Sequence, residues 1–404
     1  VEKEDLRIAD YGASEGNTLT LRDENSFTAS DNSYFSKALI NVPEDSMELK
    51  IDNGKTYAIA LEGGGAKGGY EIGVWQALDE AGIKYNAVSG TSVGALNGGL
   101  MAMRDLPRAI DAWNNMKLGK VIELDEEQEE NLSRAFNGDI GLDGVQRLIP
   151  EALEIIKNRG LDVAPLRAWV REVVDAKAIK ESDVELYIAT VSITDRKALE
   201  VKVNDLPEDQ ICDMLLASAY HPTFKLEKLG GKFYTDGGFV DTLPLHALVT
   251  NGYKDIIAVR IPGIGHNRRF KMPDDVNVTY IATNADLGGV LNFDAEQSRR
   301  DMAIGYLDAK RVLYGLYGKH YYIERSMTDR EALNMLLDSL ETGVNLRQFC
   351  ERDLPRVARH LDAEGDYYEL LIAVLEDAAA KQDIDNMRIY KDTELVAKLE
   401  ESRE

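Results

Sequence analysis

Apolar residues recur along this chain in two rhythms that alternate. Short runs at 57–61, apolar throughout, and at 86–89, around Ala87 and Val88, read as strands, the first with a buried-strand pattern. Each run ends in a glycine-rich corner, and each corner opens a stretch with helical spacing. After Gly68 the apolar positions are Ile72, Trp75, Leu78 and Ala81, with Gly82 as a C-cap; after Ser92 a helix is expected over 93–103. Trp75, inside its stripe, reads as core. The second helix has a face of Gly94, Ala95, Gly98, Gly99 and Ala102. Interior glycine costs about 1 kcal/mol relative to alanine. Such a face therefore implies close packing on a sheet, room for a substrate beside Ser92, or both.

The rest of the chain extends this pattern. Residues 1–50 are polar and read as an irregular leader. Mixed helical periodicity over 106–116, 143–157 and 163–178 marks a helical insertion, interrupted by the carboxylate run Glu123 to Glu130. That run lacks the alternating spacing of a calcium loop and reads as a solvated face. Strand patterns return at 185–193, 199–203, 255–261 and 276–282, with a short strand running into Asp236. Asp205 and Pro207 read as the cap and first turn of a helix that ends near Ser218, before Pro222. From Asp294 onward the pattern is wholly helical, and Thr328 with Glu331 forms a capping box. The expected organisation is a leader over 1–50, an α/β domain over 51–285 and an all-helical extension over 286–404.

Composition narrows the partners. The 404 residues carry a formal charge of −24, which opposes nucleic acid, whose phosphates demand a basic footprint. The densest basic patch, around Arg268, Arg269 and Lys271, has two readings, a site for a phosphate headgroup and an ordinary solvated turn. Cys212 and Cys350 are too few for a disulfide framework, and both read as buried thiols. No apolar run approaches the ~20 residues that cross a membrane. The first residues have no basic stretch before an apolar core, so they read as no signal peptide. The chain opens on valine rather than methionine, which leaves room for a removed upstream segment. The expected compartment is the cytoplasm.

Chemistry concentrates at the two corners. Gly90-Thr-Ser-Val-Gly94 has the spacing of a nucleophile elbow, a strand-to-helix turn sharp enough to hold Ser92 out at the top of a sheet. Gly63-Gly-Gly-Ala-Lys-Gly68 also fits a dinucleotide fingerprint, but that motif wants an acidic residue at the end of the next strand, where Ser89 and Gly90 stand. As an oxyanion hole the same glycines cooperate with the elbow, since consecutive backbone N–H groups can converge on one point near a helix N-terminus. Lys67 adds positive potential there or simply lies on the surface. Of five histidines, only His221 precedes Asp236; of those that follow, His246 and His266 lie nearest in the chain, and neither has the surroundings of an elbow partner. Asp236, at a strand end before Gly237 and Gly238, is the better base, with Asp241 in reserve. A carboxylate with a pKa near 3.9 is a weak base, so it must be dry and aligned with the hydroxyl.

These blocks, in this order, resemble the signature blocks of the patatin-like phospholipase family. A fourth, Ala217-Ser-Ala-Tyr-His-Pro222-Thr-Phe224, resembles that family's Ala-Ser-x-Ala-x-Pro-x-Phe segment. The resemblance implies a three-layer α/β fold with a mostly parallel central sheet. It implies acyl-ester hydrolysis of lipids by a Ser92–Asp236 dyad, without a catalytic histidine, calcium or other cofactor. The oxyanion hole would be the backbone of Gly64, Gly65 and Ala66, supported by Lys67, Gly90, Gly94, Gly237 and Gly238. Lys67 stands where the family most often has arginine, keeping the charge but losing the forked donor. The implied partners are a phospholipid or other acyl ester and a membrane or micelle surface. An acyltransferase or small-ester esterase on the same dyad is the alternative. A non-catalytic lipid-binding protein would be expected to have lost Ser92 or Asp236. The leader and the helical extension lie outside the resemblance.

Overall fold

A computed structural model describes residues 47–123, 160–263, 265–338, 345–363 and 365–401. Most of the leader, most of the carboxylate run and the helix expected over 143–157 lie outside the described residues. The chain divides into two compact units, Ile51–Ala309 and a second made of Lys310 onward with the chain before Ile51.

In the first unit, β1 (Thr56–Leu61), α1 (Gly69–Glu80), β2 (Lys84–Thr91), α2 (Val93–Ala102) and α3 (Leu106–Asn114) follow in order. Next come α4 (Ala164–Val173), α5 (Ala176–Glu181), β3 (Glu185–Ser192), β4 (Lys197–Lys202), α6 (Glu208–Ser218) and β5 (Tyr234–Asp236). Then follow α7 (Leu245–Thr250), β6 (Asp255–Arg260), β7 (Asn277–Ala282) and α8 (Ala295–Tyr314), which runs to the edge of the unit and past it. One seven-stranded sheet has the order β4-β3-β2-β1-β6-β7, with β5 pairing β3 off that path. The strands from β3 to β7 along this order are parallel, whereas β4 and β5 run antiparallel to β3.

The apolar runs explain the layering. Ala58, Ala60 and Ala87 share a core with Leu245 and Leu248 of α7. Their alternates Leu61, Val88 and Leu186 lie against Gly98 of α2 on the opposite face. Because successive side chains point to opposite faces, a strand that is apolar throughout must be covered twice. Helix, sheet and helix form the expected three layers. The small face of α2 is used in this packing: a Cβ on Gly98 would sit 3.0 Å from Leu186, and one on Gly99 3.1 Å from Leu215. Trp75 is buried, as its position in the α1 stripe requires.

Other expectations shift. Asp205 does not cap α6; it ends a short 3-10 turn, and Pro207, whose side chain caps nothing, precedes the first helical residue Glu208. The unit closes at Ala309 rather than near residue 285, because α8 packs on α1 backbone to backbone. A Cβ at Gly73 would collide with the Met302 carbonyl, and one at Gly305 with the Tyr70 carbonyl. The Tyr70 hydroxyl donates to Asp308 at 3.0 Å.

The second unit contains β8 (Tyr322–Glu324), α9 (Asp329–Asp338), α10 (Leu354–His360), α11 (Tyr367–Lys381), β9 (Ile389–Lys391) and α12 (Asp392–Glu401). Its core gathers Leu336, Phe349, Tyr368, Leu375, Tyr390 and Leu395. The capping box forms as expected, with Thr328 N–H donating to Glu331 at 2.7 Å and Glu331 N–H to Thr328 Oγ1 at 3.3 Å. This region is helical but not all-helical, since β8 and β9 pair in parallel. Three residues are too few for a period of two to show. Cys350 is exposed and Cys212 half-buried, against the expectation of two buried thiols.

Candidate active site

The β2–α2 turn places Ser92 between the two elements at φ 56°, ψ −124°. For a residue with a Cβ this backbone costs about 1–3 kcal/mol and persists only where surroundings over-determine it. Here they do. Gly90 lies so close to Gly94 that a Cβ would strike its carbonyl. The Ser92 N–H donates to Ser218 Oγ at 3.0 Å, and that hydroxyl donates to the Ala189 carbonyl at 2.6 Å. One residue earlier, Thr91 Oγ1 donates to the Asp241 carbonyl at 2.7 Å. The elbow is tied to β3, to α6 and to the chain after Asp236.

Sheet register brings the carboxyl in. Thr91 pairs with Ala189 across β2 and β3, and Thr190, the next residue, pairs with Asp236 across β3 and β5. Asp236 thus stands level with Ser92. It is buried, its N–H donates to the Tyr220 carbonyl at 2.9 Å, and its Oδ1 accepts the Gly238 N–H at 2.8 Å. Burial lifts its pKa above the ordinary aspartate value; hydrogen bonds from the Ser92 hydroxyl and the Gly238 amide, and the charge of His221, pull it part of the way back. Gly237 has no space for a side chain, because a Cβ would meet the Ala189 carbonyl.

The first corner runs beside the serine: a Cβ on Gly63 would lie 3.1 Å from Ser92 Cβ. Not all of its amides are free. Gly63 N–H donates to Thr242 O and Ala66 N–H to Val290 O, each at 2.9 Å. Ala66 is therefore no oxyanion donor in this arrangement, a correction to the expected trio. Among the described residues no backbone acceptor takes the amides of Gly64 or Gly65. Gly65 adopts φ +61°, and a Cβ there would collide with the same Val290 carbonyl. Lys67 reaches across to the Pro262 carbonyl at 2.6 Å, a tether for the neighbouring loop.

The other candidates fall away from the nucleophile. His246 Nδ1 stands 2.9 Å from Glu200, which also binds Arg268 of the basic patch at 2.9 Å. Asp241 is buried, accepts the Arg268 N–H at 3.2 Å, and is pushed up to about 6 chiefly by that burial. Among the described residues no group of His, Cys, Asp and Glu is arranged to hold a metal ion. Two residues escaped the sequence reading, Ser218 and His221. Both sit in the fourth block, and His221 lies upstream of Asp236, outside a Ser–Asp–His order.

Fold and site together define an α/β domain with a serine held on a nucleophile elbow. Residues 59–249 match the family model described as patatin-like phospholipase. The chain is 25% identical over 232 residues to patatin-like phospholipase domain-containing protein 6 of Mus musculus, covering 56% of this chain and 15% of that protein. It is 24% identical over 234 residues to lysophospholipase NTE1 of Kluyveromyces lactis, covering 57% of this chain and 14% of that protein. The match thus spans only a small part of these curated relatives. The crystal structure of VipD from Legionella pneumophila aligns at a TM-score of 0.35 and 16% identity, over 85% of this chain and 90% of that one.

Proposed function

We propose that the Ile51–Ala309 unit is a serine lipid acyl hydrolase that works through Ser92 and Asp236. Asp236 takes the hydroxyl proton as Ser92 Oγ attacks an acyl carbonyl. Negative charge on the carbonyl oxygen develops toward the Gly64 and Gly65 amides, at the start of the turn that leads into α1. As the tetrahedral intermediate collapses, the same proton passes from Asp236 to the leaving alcohol oxygen. Water then attacks the acyl-enzyme, Asp236 taking its proton, and Ser92 recovers its own on release of the acid. The observation that supports this most directly is a strained, half-buried elbow serine brought level with a buried carboxyl by the β2–β3–β5 register, beside two amides that no backbone acceptor among the described residues takes. The family match and the lysophospholipase name of one relative support a lipid ester as the substrate class. Such a substrate calls for contact with a membrane or micelle surface; among the described residues no helix is long and apolar enough to cross a bilayer.

The test is acyl release from p-nitrophenyl butyrate, a lysophospholipid and phosphatidylcholine by the wild type, Ser92→Ala and Asp236→Asn. Removing a nucleophile or its base typically costs about 10⁴–10⁶ in kcat, and both variants are expected to fall in that range on every substrate the wild type accepts. A fully active Asp236→Asn would remove the dyad. Because the base must be ionised and burial raises its pKa, kcat/KM is expected to rise with pH through a limb above the ordinary aspartate range.

A further inference from the structure

His221 follows Tyr220, whose carbonyl accepts the Asp236 amide at 2.9 Å, so the segment bearing the imidazole is hydrogen-bonded to the segment bearing the base. Thr223 Oγ1 lies 2.8 Å from His221 Nδ1, and the Phe224 ring meets the imidazole edge-on with centroids 6.2 Å apart. One nitrogen and one edge are thereby held. Among the described residues Nε2 has no protein partner, and the residue is exposed whereas Asp236 is buried. The charged group that bears on the imidazole is Asp236. Its carboxylate tightens the imidazole proton, against the stronger loosening caused by surrounding protein. In return, a charged His221 lowers the proton affinity of Asp236.

We propose that His221 is a positioning residue of the dyad that acts by charge, setting how readily Asp236 takes and returns the Ser92 proton. The inference rests on the Ser92–Asp236 reading and adds a second titrating group to it. A buried carboxyl serving as a base faces two opposed demands. It must stay ionised in mild acid, and it must be basic enough at neutrality to accept a hydroxyl proton. An imidazole beside it separates them. In mild acid the imidazolium holds the carboxyl ionised; near neutrality the imidazole is uncharged, and the basicity conferred by burial is restored. The two groups titrate as a pair, and the pH profile reports the pair.

The experiment is a kcat/KM–pH profile on p-nitrophenyl butyrate for the wild type, His221→Gln and His221→Lys at low and high KCl. His221→Gln is expected to move the acid limb upward by about half a pH unit, while its high-pH plateau stays within about threefold of the wild type. His221→Lys should move the limb the other way. High KCl should carry the wild-type limb toward that of His221→Gln and leave the latter in place. A second readout needs no turnover: NMR of histidine-labelled protein, the His221 signal assigned by its loss in His221→Gln, should show a lower titration midpoint in Asp236→Asn. Superimposable acid limbs in all three proteins would overturn the proposal, as would a midpoint unmoved by Asp236→Asn. An NMR shift without esterase activity would sink the hydrolase reading instead and leave the coupling standing.

Discussion

The two glycine corners look alike in sequence and are held in place in different ways. The elbow around Ser92 is braced from within the sheet: Gly94 lies close against the Leu61 carbonyl, and Ser218 ties the Ser92 amide to β3. The corner at Gly63 to Gly68 leans on chain far away in sequence. Val290 takes the Ala66 amide and leaves no room at Gly65, while Ser298 and Met302 press on Gly69 and Gly73. Those supports lie beyond residues 59–249, the stretch that matches the family. A buried chain links the corners: Asn97 of α2 donates to Gly68 O and to Glu71 at 2.9 and 2.8 Å, and accepts Trp113 Nε1 at 2.9 Å. Burial pushes the Glu71 carboxyl well above the usual carboxylate range, and the Asn97 hydrogen bond works against that rise. Both corners thus lean on distant chain: the elbow on β3, α6 and the segment after Asp236, the first corner on Val290 and on α8. On the proposed reading, the nucleophile and the charge-receiving amides therefore have separate supports.

Gly65→Ala should break the comparison most sharply. It combines a left-handed backbone with a collision against Val290 and leaves the elbow contacts intact. Loss of a donor from an oxyanion hole typically costs about 10²–10³ in rate, and a loss of that size in kcat is expected, with little change in KM. A variant with wild-type kcat would show that the charge is received elsewhere. Ser218→Ala tests the other corner. It leaves the half-buried Ser92 N–H without its acceptor, at a cost of up to about 1–3 kcal/mol, and should lower kcat by roughly tenfold while the acid limb of the pH profile stays put. If kcat is unaffected, the strained Ser92 backbone is held without this tie.

The smallest effect concerns Asp241, next to the elbow through Thr91. Its folded pKa is about 6, above the ordinary 3.8, so the folded state binds this proton more tightly than the unfolded chain does. Its contribution to stability is full below about pH 4 and is lost as pH rises through about 6. Asp241→Asn should remove that decline, which urea unfolding at pH 4.5 and pH 7.5 would measure. An unchanged pH slope would mean that the carboxyl is not dry.

Much of this was legible residue by residue. The alternation of buried strand, glycine corner and helix places β1, α1, β2 and α2 close to their observed bounds, because each signal lies within a few residues of the element it shapes. Ser92 was readable as a strained elbow and Asp236 as a strand-end carboxyl for the same reason. The tie of Ala66 to Val290, the proximity of His221 to Asp236, the closing of the first unit at Ala309 and the β8–β9 pair were not. In each of these, residues far apart in the chain meet through strand register or helix packing, and neither leaves a periodic trace. Local sequence thus dictates which backbone shapes and which buried faces form. Whether an amide is free or a charge has a neighbour was settled only when those faces closed on one another.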